Sequence, residues 1–232
     1  MLKVMEPEAF LFFYAKRPET QRNLELSRIF ALEDEFDSAE RVYFGKEAER
    51  TENREENAKR MYELAVGKPA KEYSRRVSYS FAASLIQLLP EAKCLQALKR
   101  LGHVETKKEE EHAILRLRLA KNWAASYAPD EFRIRLLSLP ESAANFAKLD
   151  KAQQEALKEF AACLLSSEES EAVQAEKVRK LCAEKNVPAL EFYSAAYSVL
   201  VGKPRGPRLF SLIAALGQKE IASRLAGKLT HS

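Results

Sequence analysis

"IFALEDEFDSAERVYFG", residues 29–45, decides the fold class. Its apolar residues Ile29, Leu32, Phe36, Ala39 and Tyr43 fall at steps of three, four, three and four, and Gly45 closes the seam. That spacing is the repeat of one helix face; a half-buried strand would alternate apolar and polar instead. The carboxylates of "EDEFD", like those of "REEN" and "KEEEH", are then expected on the solvated faces of amphipathic helices. Working outward, the same logic recurs. Only 7 of 232 residues are glycine, and Ala, Leu, Glu, Lys and Arg, all good helix formers, are abundant. Thr106 with Glu109 makes a capping box ahead of Leu115, Leu119, Trp123 and Tyr127, with Pro129 as the stop. Asp150 with Gln153 resembles a second capping pair, ahead of Leu157, Phe160, Ala161, Leu164 and Leu165. Pro188 and Pro207 each suit the first position of a helix, where a missing N–H costs nothing. Only "FRIRLL", from Phe132 to Leu137, alternates, over its first five positions, and it reads as an extended linker. The chain is expected to be all-α, a bundle or cage of nine or ten helices without a substantial sheet.

Composition narrows the function classes. No apolar run approaches the roughly 18 residues a membrane helix needs, and Glu6, Pro7 and Glu8 interrupt any signal-like opening. Cys94, Cys163 and Cys182 are odd in number and dispersed, which fits a reducing cytoplasm and gives no zinc spacing. His103, His112 and His231 add no metal cluster. There is no G-x-S-x-G elbow, no H-E-x-x-H and no phosphate-binding loop. The residues by themselves describe a non-catalytic helical module. Trp123 and Tyr127, four apart, are either a core seam or a base-stacking pair.

Charge is unevenly placed. Residues 1–70 hold 12 Lys/Arg and 15 Asp/Glu, whereas 71–103 hold six against two, and 199–232 six against one. Two basic segments of this kind would make a cationic face for a polyanion if the fold joined them. The second contains "VGKPRGPRLF", residues 201–210. Y-x-x-x-V-G-K-P occurs both at 62–69 and at 197–204, and in each place it reads as helix-stop chemistry: glycine in the left-handed conformation, then proline.

Longer stretches resemble a known family. "EFYSAAYSVLVGKPRGPRLFSLIAALGQKEIASRLAGKL", residues 191–229, is similar to the C-terminal helices of the anticodon-binding α-helix cage of class I lysyl-tRNA and bacterial glutamyl-tRNA synthetases. Gly202, Gly206, Pro207, Arg208, Leu216, Gly217, Lys219 and Glu220 fill the pattern, with Gln218 inserted. "MEPEAFLFFYAKRPETQRNLEL" and "LEDEFDSAERVYFGKE" look like the segment beyond the catalytic core of class I lysyl-tRNA synthetases, matching at Pro7, Glu8, Arg17, Pro18, Asp34, Glu35, Phe36, Asp37, Tyr43, Phe44 and Gly45. "RRVSYSFAASLIQLLP" and "RLAKNWAASYAPDEFRIRL" resemble the intervening helices. The likeness is weakest at 46–60 and 140–186.

The resemblance implies a C-terminal piece of a class I lysine–tRNA ligase, with a stem-contact-like region over 1–70 and an anticodon-binding cage over 71–232. The signature HIGH-like and KMSKS-like motifs that grip ATP are absent; "GHVE" at 102 is only an echo of the first. ATP and magnesium are therefore expected of the parent enzyme, and no cofactor, metal or catalytic residue of this chain. The expected partner is tRNA(Lys), bound by a cytoplasmic monomer, with no DNA or membrane partner. The loop cations Lys203, Arg205 and Arg208 are candidate phosphate or nucleotide contacts, Arg208 alternatively tying to a carboxylate. Trp123, Tyr127, Phe132, Arg133 and Arg135 are candidates for one side of the cage, and Arg75 and Arg76, from the first basic segment, complete the set. A glutamyl-type anticodon fragment and a helical protein-interaction module remain the alternatives.

Overall fold

The computed structural model describes residues 3–16, 24–166 and 170–229. Among them are twelve α-helices and no strand, so the all-α expectation holds with more helices than the nine or ten anticipated. Arg17, Pro18 and His231 lie outside the described residues. None of the described helices is long and apolar enough to cross a membrane.

The chain forms two compact units, Met1–Arg133 and Ile134–Ser232. The first holds α1 (Pro7–Ala15), α2 (Ile29–Tyr43), α3 (Glu52–Val66), α4 (Tyr79–Leu88), α5 (Glu91–Arg100) and α6 (Lys107–Ser126). Helix α2 packs on α3 and α4, α4 on α6, and α1 on α3. The seam Ile29, Leu32, Phe36 and Ala39 is buried as its spacing predicts. The Thr106–Glu109 capping box starts α6, with the Glu109 amide donating to Thr106 Oγ1 at 3.2 Å. Such a cap contributes about 1 kcal/mol. The first compact unit runs past residue 70, with the partly enclosed Arg76 and the buried Arg116 paired to carboxylates of residues 6–40.

Those carboxylates correct the surface reading of "EDEFD". Glu33, Asp37 and Glu40 are buried, as is Glu6, and each pairs with the buried Arg116 or the largely enclosed Arg76. Steps of four and three put all three on one face of α2, beside the apolar seam, so the face toward the core is partly ionic. "REEN" and "KEEEH" behave as expected: Glu56 and Glu111 are exposed.

The second unit holds α7 (Leu139–Phe146), α8 (Lys151–Ser166), α9 (Glu171–Glu184), α10 (Ala189–Val201), α11 (Leu209–Leu216) and α12 (Gln218–Leu225). Helix α12 packs on α8 and α7, and α10 packs on α7, α8 and α9. Its core is apolar, with Leu157, Phe160, Phe192, Leu200, Ile213 and Ile221 all essentially inaccessible. Asp150 caps α8 by accepting the Gln153 amide at 2.8 Å. A further capping box, Ser138 with Glu141, opens α7. Residues 133–138 are extended without forming a sheet, and the Leu137 amide donates to the Leu200 carbonyl at 2.9 Å. The two prolines are displaced by a residue or more from the first helical position: Pro188 is itself the N-cap of α10, and Pro207 precedes Arg208, the N-cap of α11.

Candidate nucleic-acid interface

The loop between α10 and α11 is shaped by two glycines for different reasons. Gly202 ends α10 with φ +71°, the left-handed conformation that L side chains rarely adopt, and the equivalent Gly67 ends α3 at φ +67°. Gly206 has an ordinary φ. A Cβ there would sit 2.7 Å from the Tyr197 ring, so only glycine lets the loop lie on that ring. The Tyr197 hydroxyl then donates to the Pro207 carbonyl, fastening the loop at a second point. Burial pushes this phenol up to about 12, so it stays a donor.

On this anchored loop the cations face outward. Arg205 and Arg208 are exposed and Lys203 is half-exposed. Arg208 keeps its side chain 82% exposed with Glu171 at 3.7 Å, too open and too long a pair to hold the guanidinium in place. As the N-cap residue of α11 it offers no side-chain cap, which leaves it free to turn toward a ligand at the positive end of the helix.

Beside the loop lies a groove of about 590 Å³ lined by Tyr193, Tyr197, Phe210, Arg208 and Glu171. The Tyr193 and Phe210 rings meet edge to face at 6.5 Å. Aromatic faces next to a guanidinium suit a splayed nucleobase, which stacks on rings and presents its edge to hydrogen-bond donors. These aromatics were missed in the sequence. Tyr193 and Tyr197, four apart in an apolar run, look like a core seam; Tyr197 is indeed buried beneath the loop, whereas Tyr193 is half-buried at the groove.

The other expected site residues scatter. Trp123 is 1% exposed, its Nε1 donating to the Leu26 carbonyl at 2.7 Å, so the core reading is correct and the stacking reading is not. Phe132 packs on Phe30 at 4.9 Å and on Trp123 at 6.1 Å. Tyr127 is exposed at the end of α6, and Arg133 is exposed with Asp130 at 3.6 Å. Arg135 belongs to the second unit and is held bidentate by Glu141 at 2.6 and 2.9 Å. Arg135 and the Ser138 cap together hold the Glu141 carboxyl well below the usual carboxylate range. The five residues expected to form one side of a cage are thus divided between the units, and one of them is core. Arg75 is exposed and donates to the Gly102 carbonyl at 2.6 Å. Arg76 is a correction: only 12% of its side chain is exposed, and it is held between Glu6 and Glu40.

Comparison with known proteins gives this arrangement a class. A family described as anticodon binding domain matches residues 129–229, nearly the whole second unit, and a family described as tRNA synthetases class I (K) matches residues 1–68. The lysine–tRNA ligases of Pyrococcus furiosus and Thermococcus kodakarensis are each 34% identical to the chain over 97% of its length. That of Borreliella burgdorferi is 27% identical over 94%. Nearly the whole chain is thus similar to a C-terminal-like part of lysine–tRNA ligases. It spans 43%, 44% and 42% of those three relatives, so less than half of each.

Proposed function

We propose that this chain binds tRNA(Lys) and that the 134–232 unit reads its anticodon, while lysine activation belongs to the remainder present in the relatives. The supporting observation is the anchored cationic loop beside the Tyr193–Phe210 groove, inside the stretch that matches an anticodon binding domain. In this reading Arg205 and Arg208 hold backbone phosphate, and the groove takes one unpaired base. Lys203 adds charge at the same edge. The protein works as a cytoplasmic, tRNA-bound module that uses neither ATP nor magnesium itself; both belong to amino-acid activation. Titration with lysine tRNA at a series of salt concentrations tests the reading. Affinity should fall as a power of salt, since each phosphate contact releases condensed counterions. Binding that is absent at low salt, or indifferent to salt, contradicts it. ATP–pyrophosphate exchange by the purified chain would contradict the assignment of activation elsewhere.

A further inference from the structure

Inside the 1–133 unit, two guanidinium groups face four carboxylates. Arg116 Nε donates to Glu6 at 2.9 Å, Nη1 to Asp37 and to the Val77 carbonyl, and Nη2 to Glu33 at 3.1 Å and Asp37 at 3.0 Å. All five N–H groups of Arg116 are therefore committed, with three carboxylates on one cation. Arg76 donates to Glu6 and, through Nε at 2.7 Å, to Glu40. Glu33 is fully buried, and Glu6, Asp37 and Arg116 nearly so.

With every carboxyl ionised, the interior would hold two uncompensated negative charges, which a low-dielectric site resists strongly. The neighbouring groups supply no cation. Burial and then Arg76 hold the His112 imidazole below its ordinary range, so it is neutral at neutral pH. Its Nδ1 and Asp34 Oδ1 are buried without hydrogen-bond partners. Burial, with Asp37 adding to it, raises the Asp34 carboxyl. Tyr62 and Tyr79 border the cluster from α3 and α4, and their hydroxyls donate to Glu40 at 2.9 Å and to the Val4 carbonyl. Among the described residues no group of His, Cys, Asp and Glu is arranged to hold a metal ion. The remaining compensation is a proton.

We propose that this cluster is a proton-gated clamp, holding at least one proton among Glu33 and its neighbouring carboxyls at neutral pH and loosening the 1–133 unit when alkaline conditions remove it. Burial pushes the Glu33 carboxyl up to about 8, Arg116 pulling it back and Glu6 and Asp37 pushing it further. Burial likewise raises Asp37 against the pull of Arg116, whereas at Glu6 the two guanidinium groups together outweigh burial and hold it low. The unfolded chain releases the Glu33 proton near the ordinary value of 4.5. A raised folded value means that the protonated form stabilises the fold fully below that point, and the contribution is lost as pH rises through about 8. His112 has the opposite sign below its ordinary value of 6.5, so the clean window lies above it.

The chain has one tryptophan, Trp123, buried in this unit, so its fluorescence during urea unfolding reports the clamp selectively. Between pH 6.5 and 8 the unfolding constant should rise about tenfold, the linkage of one proton. Glu33→Gln should lose most of that rise and resist urea better than the native chain at pH 8.5. A native unfolding constant that is flat or falls across this window overturns the proposal, as does an unchanged slope in Glu33→Gln. Should that variant not fold, unfolding the native chain at pH 7 in weak buffer with an indicator decides: release of about one proton supports the clamp, and no release overturns it.

Discussion

In the 1–133 unit Arg76 and Arg116 are enclosed by four carboxylates, whereas in the 134–232 unit Arg205 and Arg208 stand on an exposed loop. The residue type is the same and the surroundings are opposite. What separates them is the acceptor supply. Helix α2 brings Glu33, Asp37 and Glu40 to one face, so guanidinium groups can enter the core fully hydrogen-bonded. Among the described residues, Glu171 approaches Arg208 at 3.7 Å, and the guanidinium stays in water. The second unit is not without enclosed cations: Arg224 is 6% exposed, with Nε donating to the Leu137 carbonyl and Nη1 to Glu220. The enclosed arginines are part of the architecture, and the exposed ones beside aromatic rings are the proposed ligand contacts.

The largest effect that would break this contrast is expected at Arg116. Arg116→Ala leaves Glu6, Glu33 and Asp37 without their cation and should cost about 3–5 kcal/mol of stability, seen in the Trp123 fluorescence transition. A loss under about 1 kcal/mol would mean that the cluster is not what holds the first unit together. Gly206→Val comes next. Its side chain would enter a ring pinned through its hydroxyl, so overpacking should cost about 1–3 kcal/mol in thermal melting followed by circular dichroism. A melting temperature equal to that of the native chain would show that the loop does not need its contact with Tyr197. The smallest stability change is expected at Arg205. Arg205→Ala should leave stability within about 0.5 kcal/mol, and should lower the slope of log affinity for tRNA against log salt by about one. Affinity and slope both unchanged would confine the loop to a structural role.

Much of the fold was legible because helix formation is local. The seam of α2, the capping box of α6, the cap of α8 and the glycine stops at 67 and 202 each depend on residues within a turn or two. The ionic core was not legible in that way, although two signals pointed to it. Glu33, Asp37 and Glu40 share one helix face, and Arg116 interrupts the apolar run "ILRLRL", where a cation must either face solvent or find buried acceptors. Which carboxylates it finds depends on contacts 79 to 110 residues away, beyond the reach of any local pattern. The candidate site was half legible for the same reason. Lys203, Arg205 and Arg208 are adjacent in sequence, whereas the groove needs α9, α10 and α11 packed together. Trp123 was ambiguous because four-residue spacing to Tyr127 is common to core seams and stacking pairs, and the carbonyl of Leu26, 97 residues away, resolves it.

The central claim is that the 134–232 unit reads an anticodon, and exchanging anticodons tests it most directly. Lysine tRNA carrying the glutamate anticodon, and glutamate tRNA carrying the lysine anticodon, should be titrated against the chain beside both native tRNAs at one fixed salt concentration. Base stacking and edge recognition together contribute about 1–3 kcal/mol per base, so affinity should follow the lysine anticodon by about ten- to a hundredfold whichever tRNA body carries it. Affinities that follow the tRNA body, or that are equal for all four, would contradict anticodon reading and leave the cationic loop as a general phosphate contact.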